Sequence, residues 1–174
     1  MWPLDRVHVR NVAMHDLLTS LQNTSFATAI REGDTLFPWI ESLHVLALAI
    51  VVGTISIVDM RLIGLASHRK SVRRLFRDVL PITWSAFACA AATGFLLFSS
   101  RALKYAVLWQ FRAKMVLLVL AGLNMAYFHL VTFRSVHSWD ELAETPAAAK
   151  AAGAVSLCLW IAIVICGRLV GFAL

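Results

Sequence analysis

The fold of this chain is decided by residues 36–65, LFPWIESLHVLALAIVVGTISIVDMRLIGL. A helix needs about 20 apolar residues to cross the hydrocarbon core of a bilayer, and this stretch exceeds that length with few charges. Pro38 stands near its start, where a missing backbone N–H costs little. We therefore predict a membrane-spanning helix here.

Three more windows of this kind lie at about residues 80–100, 107–133 and 151–172. The composition agrees: 60% of the 174 residues are hydrophobic and 15% are charged, with a mean hydropathy of +0.75, whereas about a quarter of a soluble domain is charged. Helices satisfy their own backbone polar groups in lipid. The sequence predicts an all-α fold, an integral membrane four-helix bundle that forms a single domain over residues 1–174.

The first 35 residues are too polar to span a membrane. Apolar side chains recur there at loosely helical spacing, at Leu17, Leu18, Leu21, Phe26 and Ile30. This pattern predicts a short amphipathic helix at the membrane interface. No apolar core of signal-peptide length precedes Phe37, so we expect no cleaved leader. We interpret residues 135–150, between the last two spans, as an exposed loop or a short interfacial helix.

Basic residues set the predicted orientation. Each side of the membrane has eight of them, but the loop after the first span holds five within nine positions: Arg69, Lys70, Arg73, Arg74 and Arg77. On the opposite side Arg112, Lys114 and Arg168 lie inside spanning windows and are poor loop markers. Because Lys and Arg favour cytoplasmic loops, we expect both termini outside. The formal charge is +6. The basic residues form no stripe interleaved with aromatic residues, so we expect no nucleic-acid partner.

Ionisable side chains inside the spans are the candidate functional residues, because each costs about 2.5–3.5 kcal/mol at the bilayer centre. Glu41 and His44 are three residues apart and share one face near the outer end of the first span. The helix directions bring Arg112 and Lys114 from the third span, and Arg168 from the fourth, to the same depth. The sequence predicts one polar layer near the outer face.

Such a layer suits b-type haem. A neutral His44 imidazole would ligate the haem iron, with Lys114 close to the second axial position and with Arg112 and Arg168 paired to the propionates. The alternative is structural: Glu41 pairs with Arg168, Arg112 and Lys114 extend to the interface, and His44 bonds a neighbouring hydroxyl or carbonyl. Residue types alone leave both interpretations open.

Weaker candidates form a second layer toward the cytoplasm: Asp59, Arg61, Asn124 and His129. His44 lies about 12 Å below the start of its helix, whereas His129 is about 30 Å along a parallel helix. One iron therefore cannot bind both. The loop residues His68 and His137 could complete an inner site with His129, although loop histidines are more often solvated.

The residues that carry a resemblance are FPWIESLHVLALAIVVGTISIVDMRLIGL, the basic loop, LPITW and FRAKMVLLVLAGLNMAYFH. Over nearly its whole length the chain resembles a widespread, uncharacterised family of bacterial four-helix inner-membrane proteins. More distantly, SLH, Arg61-Leu62 and WQFRAKMVLLVL resemble the HemJ-type protoporphyrinogen oxidases and the CopD-like copper-resistance membrane domains. The HemJ resemblance implies a functional histidine–lysine pair at His44 and Lys114 and a bound haem b. Asn124 stands where that family would have a histidine.

These observations lead to two hypotheses of different classes. The first is a haem-binding membrane protein of the bacterial inner membrane that passes electrons between a quinone or porphyrinogen and a partner, either a redox protein or a second copy of the chain. The second is a non-redox membrane subunit, or a metal-handling protein, whose buried charges are structural.

Overall fold

The computed structural model describes residues 3–65, 71–136 and 145–173, without the side chains of residues 3–11 and 135. The elements in these ranges are helical: α1 (Pro3–Gln22), α2 (Ser25–Glu32), α3 (Leu36–Ile63), α4 (Val72–Ser100), α5 (Ala102–Val107), α6 (Trp109–Tyr127) and α7 (Ala147–Ala173). A π-helical turn (Phe128–Thr132) and a 3-10 turn (Phe133–Ser135) extend α6. His68, His137 and the middle of the 135–150 linker lie outside the described residues.

Four helices are long and apolar enough to cross a membrane: α3, α4, α6 with its π-helical turn, and α7. The all-α four-helix bundle and the multi-pass membrane character predicted from the sequence are therefore confirmed. The end of the bundle that carries α5 is called the upper end below, and the end where α4 begins is called the lower end.

The second span differs most from its predicted limits, because α4 begins at Val72 rather than near residue 80. The Ser71 hydroxyl caps this helix by accepting a hydrogen bond from the backbone N–H of Arg74 at 3.4 Å. Val72, Leu75 and Phe76 are buried in its first turns. Their spacing anchors one face of the helix while the basic side chains of the segment occupy the other.

The N-terminal segment forms two helices rather than one. Both pack at the upper end, α1 against α5 and α2 against the end of α4. Ala27 and Ile30 are buried in this packing, whereas Leu17 is 71% exposed. Arg31 ties the region together, since its Nη1 donates to the Gln22 carbonyl at 2.9 Å.

The core of the bundle runs along three helix seams: α3 with α4, α3 with α7, and α6 with α7. At the α3–α7 seam a Cβ on Gly153 would lie 3.1 Å from the Asp59 carbonyl oxygen, which is tighter than nine in ten real Cβ contacts, so glycine favours this close approach. Two buried clusters fill the interior. The lower cluster comprises Val58, Leu62, Val72, Leu75, Phe76, Phe128, Val136, Ala149 and Ala152, and the middle cluster comprises Val51, Ala86, Ala121, Trp160 and Ile163.

Helices α4 and α6 are bridged mainly by aromatic side chains. At the upper end the rings of Phe98 and Phe111 stack with centroids 5.2 Å apart. At the lower end Phe76 stacks on Phe128 at 5.5 Å and also contacts Phe133. Extended packing between the described residues of α4 and α6 is absent, so the bundle is open along this seam between the two bridges.

Candidate functional site

The His44 imidazole lies in the seam between α3 and α4 and is held by Thr93. The His44 Nδ1 and Thr93 Oγ1 atoms are 3.0 Å apart. The Thr93 hydroxyl also lies 2.7 Å from the Cys89 carbonyl oxygen, and when it donates its single proton there it accepts at His44. In that arrangement Nδ1 carries the ring proton and the Nε2 lone pair is the remaining acceptor of the ring. A backbone hydrogen bond to Ala90 also holds the imidazole.

Gly94 provides the space that this ring occupies. A Cβ built on Gly94 would lie 2.9 Å from His44 Cε1, 3.5 Å from Nδ1 and 3.8 Å from Nε2. Real Cβ atoms essentially never approach a neighbour within 3.0 Å. The imidazole is consequently clamped between a hydrogen bond on one side and the bare backbone of α4 on the other.

Lys114 of α6 is the second basic residue of this layer. Its ammonium lies within electrostatic range of the imidazole. The side chain crosses Gly167 of α7, where a built Cβ would be 3.4 Å from Lys114 Nζ. The described salt bridges do not include Lys114. Two bases from different helices thus meet in one layer, and a ligand with lone pairs or negative charge would complement them.

Glu41 belongs to a different group at the upper end. It is exposed and acts electrostatically on Tyr105 of α5. Burial, followed by the Glu41 carboxylate, raises the pKa of the Tyr105 phenol, and Arg101 opposes this shift. Arg101 in turn lies over the ring of Phe37, 5.6 Å from its centroid. Glu41 therefore faces the α5 connection.

Arg112 and Arg168 are also directed elsewhere. Arg112 Nε donates to the Ala106 carbonyl at 2.8 Å, which fastens α6 to the end of α5. Arg168 lies over the ring of Phe172 at 4.7 Å from its centroid, a cation–π contact along the outside of α7. Both arginines are exposed. Of the five residues expected in the upper layer, the structure brings together His44 and Lys114.

In the lower layer three of the four sequence candidates have internal partners. The buried Arg61 guanidinium donates to Thr145 Oγ1 at 3.3 Å. Asn124 Nδ2 donates to the Ala152 carbonyl at 3.0 Å, which joins α6 to α7. His129 stands in the π-helical turn, its Nδ1 donates to the Met125 carbonyl at 3.0 Å, and its ring contacts the edge of Phe76.

Asp59 differs from these three, because Ser156 forms a side-chain hydrogen bond with its carboxyl group but one carboxyl oxygen is left over. Asp59 is 5% exposed, and its Oδ2 atom has no hydrogen-bond partner among the described residues. It lines a cavity of about 170 Å³ between α3, α4, α6 and α7, below the level of His44 and above the lower aromatic bridge. Sequence reasoning named Asp59 as a candidate but did not foresee this cavity.

Sequence reasoning missed Thr93, Gly94 and Gly167, the residues that position His44 and Lys114. Glycine and threonine inside an apolar window are ordinary packing residues, and their role depends on which helix lies opposite. One weak signal was available in the sequence. His44, Thr93 and Gly94 all fall near the upper ends of adjacent antiparallel helices, so the three residues lie at a similar depth in the membrane.

Comparison of the chain with protein-family models, curated proteins and solved structures finds no match. A search of the described residues for groups of three or more His, Cys, Asp or Glu side chains placed to hold a metal ion finds none. The functional interpretation therefore depends on the geometry of the His44–Lys114 layer and of the Asp59 cavity.

Proposed function

We propose that this protein binds b-type haem through His44 near the upper end of the bundle and serves in membrane electron transfer. The observation that carries the proposal is the Thr93–His44 hydrogen bond at 3.0 Å. A haem-ligating histidine commonly donates its other ring N–H to a fixed acceptor, which sets the tautomer and the orientation of the ring. The Thr93 hydroxyl supplies such an acceptor.

The residues present fit a haem at one ligand, His44. His44 has its Nε2 lone pair available when Nδ1 carries the ring proton, and Lys114 lies within electrostatic range of the ring. The upper aromatic bridge of Phe98 and Phe111 is the described contact that holds α4 to α6 nearby. A planar group would enter through the seam between α4 and α6, since the α3–α4, α3–α7 and α6–α7 seams are packed. Arg112 and Arg168 are not required, because both already have partners.

Bound haem would supply one-electron redox chemistry. The chain would contribute the ligand at His44, the positive charge of Lys114 beside it, and a dry apolar surround. We propose a quinol or a porphyrinogen as the electron donor and a protein partner, or a second copy of the chain, as the acceptor. We also propose the bacterial inner membrane as the location, with the upper end on the periplasmic side, because the basic residues concentrate at the lower end.

A non-redox structural role is the second candidate. Arg61, Asn124, Arg112 and Arg168 are each satisfied by a hydroxyl, a carbonyl or an aromatic ring of the protein. These four residues therefore need no ligand to explain their presence. His44 also bonds the Thr93 hydroxyl, as the structural interpretation expects. The two functions therefore differ in whether the second nitrogen of the His44 ring, beside Lys114, takes a ligand.

Absorption spectroscopy of the purified, haem-supplemented protein tests the proposal. We expect the wild type to show a Soret band, and we expect His44→Ala to lose it. His129→Ala is the matched control, because it removes an imidazole from the other end of the bundle and should retain the band. A well-folded wild type without the band would refute haem binding. Loss of the band in His129→Ala with retention in His44→Ala would move the site to the lower end.

A further inference from the structure

The cavity beside Asp59 has a composition that selects for one kind of ligand. Its walls are mostly aliphatic and aromatic side chains, including Trp84, Phe87 and Trp160, and its volume is about 170 Å³. An apolar cavity of about 150 Å³ is large enough to take benzene. The space therefore accommodates one aromatic ring with a short substituent.

Most polar groups at its wall, apart from the two indoles, offer a hydrogen-bond acceptor. Asp59 Oδ2 is an acceptor without a partner among the described residues. Asn124 uses one Nδ2 proton for Ala152, which leaves its Oδ1 acceptor and a second N–H. His129 has committed Nδ1 to Met125, which leaves its Nε2 lone pair. Thr83 directs its proton to Thr54 or to the Val79 carbonyl.

A site that offers acceptors, one of them a buried carboxylate, favours a ligand that brings several donors and a positive charge. A buried carboxylate without a counter-charge is costly. The Ser156 hydroxyl lies against the Asp59 carboxylate, but a single hydroxyl does not neutralise it. The Arg61 guanidinium, two residues along α3, is engaged with Thr145 instead.

From these observations we infer that the cavity beside Asp59 binds a small hydrophobic ammonium compound. The ammonium lies on Asp59 Oδ2 and the apolar body lies against the aromatic wall. Aromatic faces of Trp84 and Trp160 add cation–π attraction for such a ligand. The lower mouth of the seam is basic, lined by Arg73, Arg74 and Arg77, so a cation would enter from the side, between the aromatic bridges. This site is separate from the His44 layer and does not depend on haem.

Two glycines provide a matched pair of variants for the test. A Cβ on Gly122, which lines the cavity, would have no atom within 4 Å, and the same is true of Gly53, which does not line it. Gly122→Leu should therefore fill the cavity without straining the helix. Gly53→Leu makes the same chemical change away from the cavity.

The experiment is calorimetric titration of the detergent-solubilised full chain with benzylammonium and with its neutral counterpart, benzyl alcohol. We expect the wild type to prefer benzylammonium by about tenfold or more, the ratio of a charge-assisted hydrogen bond. Asp59→Asn should lose this preference yet still bind benzyl alcohol, which also reports that the variant is folded. Gly122→Leu should bind neither probe, and Gly53→Leu should behave like the wild type.

Four results would overturn the inference. The wild type could bind neither probe, as expected if the cavity holds only water or lipid. Benzylammonium and benzyl alcohol could bind equally well, or the preference could survive in Asp59→Asn. Finally, tighter binding of benzaldehyde, which only accepts hydrogen bonds, would mean that Asp59 acts as a donor toward a carbonyl ligand.

Discussion

Gly94→Ala tests the placement of His44 directly. The new Cβ would lie 2.9 Å from His44 Cε1, so the ring must rotate away or α3 and α4 must separate. Rotation breaks the 3.0 Å hydrogen bond to Thr93, which costs about 0.5–1.5 kcal/mol. It also forces the side chain off its rotamer, at about 0.5–1.5 kcal/mol. The clash should therefore destabilise the bundle by about 1–3 kcal/mol in total.

Gly53→Ala is the reference for this measurement. Its Cβ would enter open space, and it gains the same helix propensity from alanine, up to about 1 kcal/mol. The propensity term cancels when the two variants are compared, so the difference between their free energies of unfolding isolates the clash. Equilibrium unfolding in mixed micelles with a denaturing detergent, followed by far-UV circular dichroism, provides both values. Equal stability of the two variants would refute the clamped position of His44.

Three further predictions concern other contacts. Gly153→Ala should destabilise the protein by about 1–3 kcal/mol, since its Cβ would meet the Asp59 carbonyl oxygen at 3.1 Å. A backbone atom can move less than the His44 ring can. The same unfolding assay measures this loss. Thr93→Val keeps the shape but removes the acceptor for His44, so the haem-supplemented variant should show a weakened or shifted Soret band. Because the pKa of Tyr105 is raised in the folded chain, its contribution to stability should be complete below pH about 10, the unfolded value, and should be lost as the pH rises through the folded pKa.

Each of these three predictions has its own control. Gly122→Ala should not be destabilised, because its Cβ meets nothing, and should gain up to about 1 kcal/mol of helix propensity. Thr54→Val removes a hydroxyl elsewhere in the bundle, and an equal spectral change there would disconnect Thr93 from the chromophore. Tyr105→Phe should abolish the stability change above pH 10 attributed to the phenol. An unchanged pH profile in that variant would contradict the assignment.

The sequence predicted the four spans well because hydropathy over about 20 residues is a strong signal. It missed the first turns of α4, since Arg73, Arg74 and Arg77 interrupt the apolar window although Val72, Leu75 and Phe76 are buried on the other face. That amphipathic spacing was readable in the sequence. The start of α4 was therefore lost by treating the segment only as a charged loop.

The sequence predicted how deep the candidate site residues lie in the membrane but not the direction in which their side chains point. Position along a helix follows from the residue number, whereas the direction of a side chain follows from rotation of about 100° per residue. Gly167 faces Lys114, so its neighbour Arg168 is turned toward the outside and meets Phe172 one turn later. Arg112 and Lys114 are two residues apart and cannot face the same neighbour. The pairing of His44 with Thr93 depends on the register of two helices, which the sequence alone does not specify.

The gap in the α4–α6 seam has a consequence for how affinity must be measured. A hydrophobic molecule that arrives sideways is drawn from the bilayer, so the concentration that governs occupancy is its mole fraction among the lipids. An apparent dissociation constant expressed as total ligand per volume of sample would then rise with the amount of lipid or detergent present, while the intrinsic constant stayed fixed. Titrations at several detergent concentrations would separate partitioning from recognition.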